Sequence, residues 1–95
     1  MNFGKAIESL KDGKKVCREG WNGKGVFIYL VKGSTVLVSL LRGSAKEAAL
    51  FSGKTELSNQ VICDHIDMKA ADGTIVVGWL ASQTDMLAED WMIVE

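Results

Sequence analysis

Apolar positions near the start of the chain recur at helical spacing: Phe3, Ala6, Ile7 and Leu10 share one face of a segment bounded by Asn2 and Gly13. That spacing predicts an amphipathic helix, with Asn2 as its N-terminal cap and Gly13 in the left-handed conformation that ends many helices. The period then changes. Lys15-Val16-Cys17-Arg18 reads as a short strand. Glu19-Gly20-Trp21-Asn22-Gly23-Lys24-Gly25 is a glycine-rich connection, in which Asn22-Gly23 favours a tight turn, leading to a strand over residues 26–31. Lys32-Gly33-Ser34 marks the next turn. The apolar stretch 35–41 has almost no polar alternation, which predicts a strand buried on both sides or placed at a subunit contact.

Residues 44–51 fit a two-turn helix, and residues 52–59 are polar and turn-rich, so this middle part reads as an excursion from the sheet. Strand character resumes in Val61-Ile62-Cys63 and in His65-Ile66-Asp67-Met68-Lys69. Ala71-Asp72-Gly73 makes a hairpin turn into a strand over residues 74–79. Ser82 and Thr84 are candidate caps for a short helix within 82–90, with acidic residues in its first turn, and Trp91-Met92-Ile93-Val94 closes the chain as a strand. The expected class is α+β: a small antiparallel sheet with an N-terminal helix and short additional helices, in a single ligand-binding domain spanning 1–95.

Composition sharpens this picture. With 47% hydrophobic residues and three Trp in 95, the chain has ample material for a core and for an apolar interface; a chain this short builds a modest core, so association with copies of itself is expected. Eleven basic and twelve acidic residues are mixed along the chain, for a net charge of −1, without a basic block to track a phosphate backbone. Nucleic acid polymers are therefore not expected partners. No apolar run approaches the roughly 18–20 residues of a membrane span, and the first residues form an amphipathic segment where a leader would be charged and then apolar. A cytosolic protein without a membrane partner is the expectation. Cys17 and Cys63 belong to no Cys-x-x-Cys or metal spacing, and each lies beside strand-like apolar residues, so both are expected to be buried, reduced thiols.

Few residues carry the marks of catalysis. His65, the sole histidine, lies between Asp64 and Asp67; on a strand only alternate positions share a face, and a structural hydrogen-bonding role is favoured over a catalytic one. The carboxylates match no calcium loop or paired-carboxylate spacing, so neither a metal nor a catalytic residue is assigned, and no cofactor is expected. The loop around Trp21 points more to binding. Its glycines, Gly23 among them, let backbone N–H groups approach an anion, Trp21 offers a flat face for a base, and Arg18 and Lys24 could neutralise phosphate. A structural turn with a core Trp would look the same. Trp79 and Trp91 read as core residues, although Trp79 shortly precedes the polar cluster Ser82-Gln83-Thr84-Asp85.

These segments also carry a resemblance. Phe3-Gly4 with Ala6, Gly13-Lys14-Lys15-Val16, Arg18-x-Gly20-Trp21-Asn22-Gly23-Lys24-Gly25, His65-Ile66-Asp67-Met68-Lys69 with Asp72-Gly73, and the string from Trp79 through Ser82 and Asp85 to Trp91 resemble the second Thoeris anti-defence family described in phages. The resemblance covers residues 2–31 and 61–95. It implies a homotetrameric, non-catalytic sponge in the cytoplasm of an infected bacterium. Such a protein binds glycocyclic ADP-ribose, the signal made by a TIR-domain sensor, and some relatives also hold cyclic oligonucleotides. Trapping a dianionic nucleotide needs stacking, phosphate donors and polar groups for ribose. Arg18, Trp21, Asn22, Gly23, Lys24 and Trp79, with Ser82, Gln83, Thr84 and Asp85, could supply these. The departure lies in residues 32–60, which leaves ligand choice open. Two other classes stand beside this one: a hydrolase of a nucleotide signal with His65 or Asp85 as general base, and a module that blocks a defence protein directly, anchored by its three Trp.

Overall fold

The computed structural model describes residues 1–22 and 24–95. Its elements run α1 (Phe3–Lys11), β1 (Lys15–Arg18), α2 (Glu19–Asn22), β2 (Phe27–Val31), β3 (Ser34–Leu37), a 3-10 turn (Val38–Leu40), α3 (Gly43–Phe51), β4 (Asn59–Ile62), β5 (His65–Lys69), β6 (Ile75–Val76), α4 (Gln83–Leu87) and β7 (Trp91–Val94). The class is α+β, as the periodicity predicts. Two compact units divide the chain: Met1–Val31 with His65–Glu95, and Lys32–Asp64.

In the first unit five antiparallel strands form a sheet in the order β6-β5-β2-β1-β7. Helix α1 starts where the Asn2 side chain accepts from the Lys5 N–H at 2.9 Å. It ends with Gly13 at φ 86°, whose N–H reaches the Leu10 carbonyl while the Lys14 N–H reaches Ser9, the paired bonds of a Schellman cap. The predicted apolar stripe is the one that packs: Ala6 and Leu10 are buried with Val16, Ile28 and Trp91, and Phe3 and Ile7 flank them. Burying a side chain such as Leu10 or Ile28 contributes on the order of 2 kcal/mol. Because Val16 pairs with Ile28, and Ile28 with Met68, the alternation of strand side chains puts these residues on the α1 face. Cys17, Phe27, Tyr29, Asp67 and Lys69 therefore belong to the opposite face.

The second unit is the predicted excursion. Strands β3 and β4 pair from Ser34↔Ile62 to Leu37↔Asn59, and α3 follows the 3-10 turn. Gly33 precedes β3 in close approach to the backbone: a β-carbon there would overlap the Ile62 carbonyl oxygen, and its N–H donates to Asp64 Oδ1 at 2.7 Å.

Four expectations are corrected here. The stretch 35–41 is not one buried strand: it leaves the ladder after Leu37 because the opposing chain turns over residues 55–58, and the Val38 and Ser39 N–H groups bond to Ser58 and Glu56 instead. Val38 alone in that stretch is buried, and Leu40 is 70% exposed. Cys63 is exposed, since it lies beyond β4 of a two-stranded ladder, while Cys17 is fully buried. The strand expected over 74–79 shrinks to Ile75–Val76, because Gly78 takes a φ of 82° and leaves the ladder. The connection after β1 begins as a helical turn, α2, where an open loop was expected.

Candidate functional site

The antiparallel register of β1 and β7 sets Arg18 opposite Trp91 on the α1 face of the sheet. From this pair a site can be built outward. Trp91 is 2% exposed and anchors a cluster of rings: Trp21 from α2 stands 5.3 Å away at 82°, Trp79 6.1 Å away at 82°, and Phe3 of α1 5.5 Å away. Trp21 and Trp79 themselves meet edge to face at 6.1 Å and 78°. Edge-to-face contact places the positive rim of one ring on the negative face of the next, worth about 0.5–1.5 kcal/mol per pair beyond burial. Trp91 is the buried member of the cluster; Trp21 and Trp79 are partly buried, packed against the core.

A polar network borders the rings. Arg18 Nε donates to Asp90 Oδ1 at 3.0 Å, and Nη1 donates to Asp85 Oδ1 at 3.1 Å. Asp85 is the hub. Its Oδ2 accepts from the Ser82 N–H while the Ser82 hydroxyl accepts from the Asp85 N–H, a reciprocal capping box that starts α4. Its main-chain carbonyl accepts from Trp91 Nε1 at 2.9 Å. Burial alone would raise the Asp85 pKa, but the Ser82 N–H and hydroxyl, together with the Arg18 guanidinium, outweigh it and hold the carboxyl below its ordinary value. The carboxylates of Asp90 and Asp85 in turn hold the Arg18 guanidinium above its ordinary value. On the buried strand face behind, burial pushes the Cys17 thiol up, assisted by the negative charge of Asp90.

The fold thus brings together Arg18, Trp21, Trp79, Ser82 and Asp85, whose first and last members lie 67 positions apart in the sequence. Gln83 and Thr84 sit exposed on the first turn of α4, where Ser82 and not Thr84 caps the helix. Lys24 is exposed just beyond α2, its N–H bonded to the Trp21 carbonyl. Gly23 and the Asn22 side chain lie outside the described residues. Arg18 is matched by two carboxylates, and the Asp85 carboxylate accepts from the Arg18 guanidinium and from the Ser82 N–H, so both side chains are engaged within the chain itself. Sequence reasoning missed Phe3 and Asp90 as members, because their proximity depends on the β1–β7 register.

It also missed a concavity of about 460 Å³ on the opposite sheet face, bordered by Lys15, Phe27, Tyr29, Lys69 and Ile75. The Lys15 and Lys69 ammonium groups lie 5.4 and 5.6 Å from the Phe27 ring centre. Only the strand pairing Phe27↔Lys69 makes that arrangement visible. His65, on this same face, places Nε2 3.8 Å from Asp67 Oδ1. Among the described residues no cluster of His, Cys, Asp and Glu is placed to hold a metal ion, and no helix is long and apolar enough to cross a membrane.

The arrangement defines a class: a small antiparallel α+β domain that gathers two partly buried indoles around a buried third, beside a hydrogen-bonded polar frame. The chain belongs to the family described as the Thoeris anti-defense 2-like domain, whose model matches residues 1–94. It is 43% identical over 94 residues to Thoeris anti-defense 2 of Bacillus phage SP01, covering 99% of this chain and 94% of that relative.

Proposed function

We propose that this anti-Thoeris protein works in the cytoplasm of the infected host by binding and holding glycocyclic ADP-ribose without turning it over. The observation that carries this reading is the pair of partly buried indoles, Trp21 and Trp79, gathered on the buried Trp91 beside the exposed turn Ser82-Gln83-Thr84. Indole faces stack on an adenine with about 1–3 kcal/mol per base. Lys24 supplies a cation near Trp21, and the exposed polar turn of Ser82, Gln83 and Thr84 offers groups for ribose hydroxyls. Cyclic oligonucleotides share the same base and phosphate chemistry and are the natural competitors to assay.

The geometry favours binding over hydrolysis. The Asp85 carboxylate already accepts from Arg18 and from the Ser82 N–H and is held acidic, which makes it a poor base near neutral pH, and His65 lies on the sheet face opposite the indoles. We further propose a homotetramer: Ile75, Val77, Leu80 and Leu87 leave between 60% and 88% of their surface exposed within one unit, more than a solitary small domain comfortably presents. Light scattering should return four times the 10.3 kDa chain mass; a monomer at micromolar concentration contradicts this part. Calorimetric titration tests the site. Trp21→Ala should weaken glycocyclic ADP-ribose binding by about tenfold to a hundredfold while remaining folded in a parallel melt. A folded Trp21→Ala protein that binds as the parent does removes the indole cluster from the ligand site.

A further inference from the structure

The β5–β6 ladder runs through Lys69↔Ile75 and Met68↔Val76 and then stops. Continued by two residues it would set Gly78 opposite Ile66. Instead the Ile66 carbonyl accepts from the Trp79 N–H at 2.6 Å, so the β6 side carries one extra residue. The Gly78 N–H, released from the ladder, donates to Asp67 Oδ1 at 3.0 Å, and Gly78 itself has a φ of 82°. This is a bulge with glycine in the left-handed region, a device that bends a strand and re-aims the side chain beside it. Here the side chain beside it is Trp79.

Asp67 is 6% exposed and is the buried charged residue of the described chain. Burying a carboxylate is costly unless it is bonded, so its burial calls for a partner. Residues 71–78 are all exposed, so side-chain packing does little to hold this segment in place. Beyond the short ladder at Ile75 and Val76, two bonds to β5 fix its exit: the Asp67 carboxylate on one face and the Ile66 carbonyl on the strand edge. Between them the chain passes from the Asp67 face to the α1 face, where the Trp79 ring meets Phe3, Trp21 and Trp91. His65 Nε2, 3.8 Å from the same Asp67 oxygen, flanks the carboxylate from its own strand face.

We infer that Asp67 is a positioning residue for the indole site: through the Gly78 bulge it sets the orientation of Trp79, without itself meeting the ligand. This rests on the indole cluster being the ligand site, and two separate readouts keep the two ideas apart. Near-ultraviolet circular dichroism reports the fixed, asymmetric packing of the indole rings without any ligand. Asp67→Ala should reduce that signal to the level of Trp79→Phe with the amide infrared spectrum, which reports the backbone, unchanged, and should weaken glycocyclic ADP-ribose binding by about tenfold, the loss of roughly one stacking contact. Asp67→Asn, whose amide oxygen can still accept from Gly78, should restore both. If Asp67→Ala fails to fold, Gly78→Ala, strained at its positive φ, should lower the same indole signal. An unchanged indole signal in folded Asp67→Ala, or in Gly78→Ala where the former does not fold, overturns the inference, as does its loss in folded Asp67→Asn. Absence of glycocyclic ADP-ribose binding by the parent protein would instead overturn the ligand reading and leave the test of Trp79 orientation by circular dichroism intact.

Discussion

Replacing Asp85 by Ala removes the hub of the site, and its cost can be worked from the contacts. The carboxylate, with a side chain 13% exposed, makes a charge-assisted bond to Arg18 and closes half of the capping box on α4. A hydrogen bond to a charged group contributes about 1.5–3 kcal/mol, and loss of an N-terminal cap costs roughly 1 kcal/mol. These share one side chain and are not additive, so Asp85→Ala should cost about 2–4 kcal/mol. For a chain of 95 residues that is a fall in Tm of roughly 10–20 °C. Asp85→Asn keeps an acceptor oxygen and should lose about half as much. Melting followed by far-ultraviolet circular dichroism measures both. The pH dependence supplies a second check. The Asp85 pKa is lowered on folding, so its stabilisation is present above the unfolded value near ~3.9 and is lost as pH falls through the lower folded value. The gap between parent and Asp85→Asn should hold from neutral pH down to roughly pH 4 and close below it. Melting of both variants within about 3 °C of the parent, near neutral pH, would refute the role of Asp85 as hub.

Two further outcomes follow from the burial of particular groups. In the native protein an alkylating reagent should modify Cys63 and leave Cys17, which is buried and has its thiol pKa raised, until the chain is unfolded; equal labelling of both contradicts the fold around β1. Gly33→Ala should destabilise the 32–64 unit, because the Ile62 carbonyl that a methyl would meet is backbone and cannot swing aside; limited proteolysis should then cut within that unit first, and an unchanged digestion pattern contradicts this.

What the sequence made legible was local. The stripe of α1, its Asn2 cap and its Gly13 terminus are written within a dozen residues, and they fold as written. Ser82 was readable as a cap for the same reason. Asp85, however, looked like a free polar group, because Arg18 lies 67 positions away and reaches it only through the β1–β7 register. The apolar run 35–41 misled because hydrophobicity does not reveal where the partner strand turns away. The short β6 was hidden for a related reason: the bulge at Gly78 depends on a carboxylate eleven residues earlier. Cys63 looked buried by its apolar neighbours, but the ladder it follows has only two strands.

A sponge, unlike a hydrolase, holds its nucleotide intact. Incubating the protein with excess glycocyclic ADP-ribose, removing free ligand by filtration, denaturing the protein by heat and weighing the released small molecules by mass spectrometry tests this directly. A sponge should release unaltered glycocyclic ADP-ribose, in fixed proportion to protein however long the incubation, and Trp21→Ala should retain it about tenfold to a hundredfold more weakly. A hydrolysed product accumulating beyond one equivalent per site, or no retained nucleotide at all, would contradict the sponge reading.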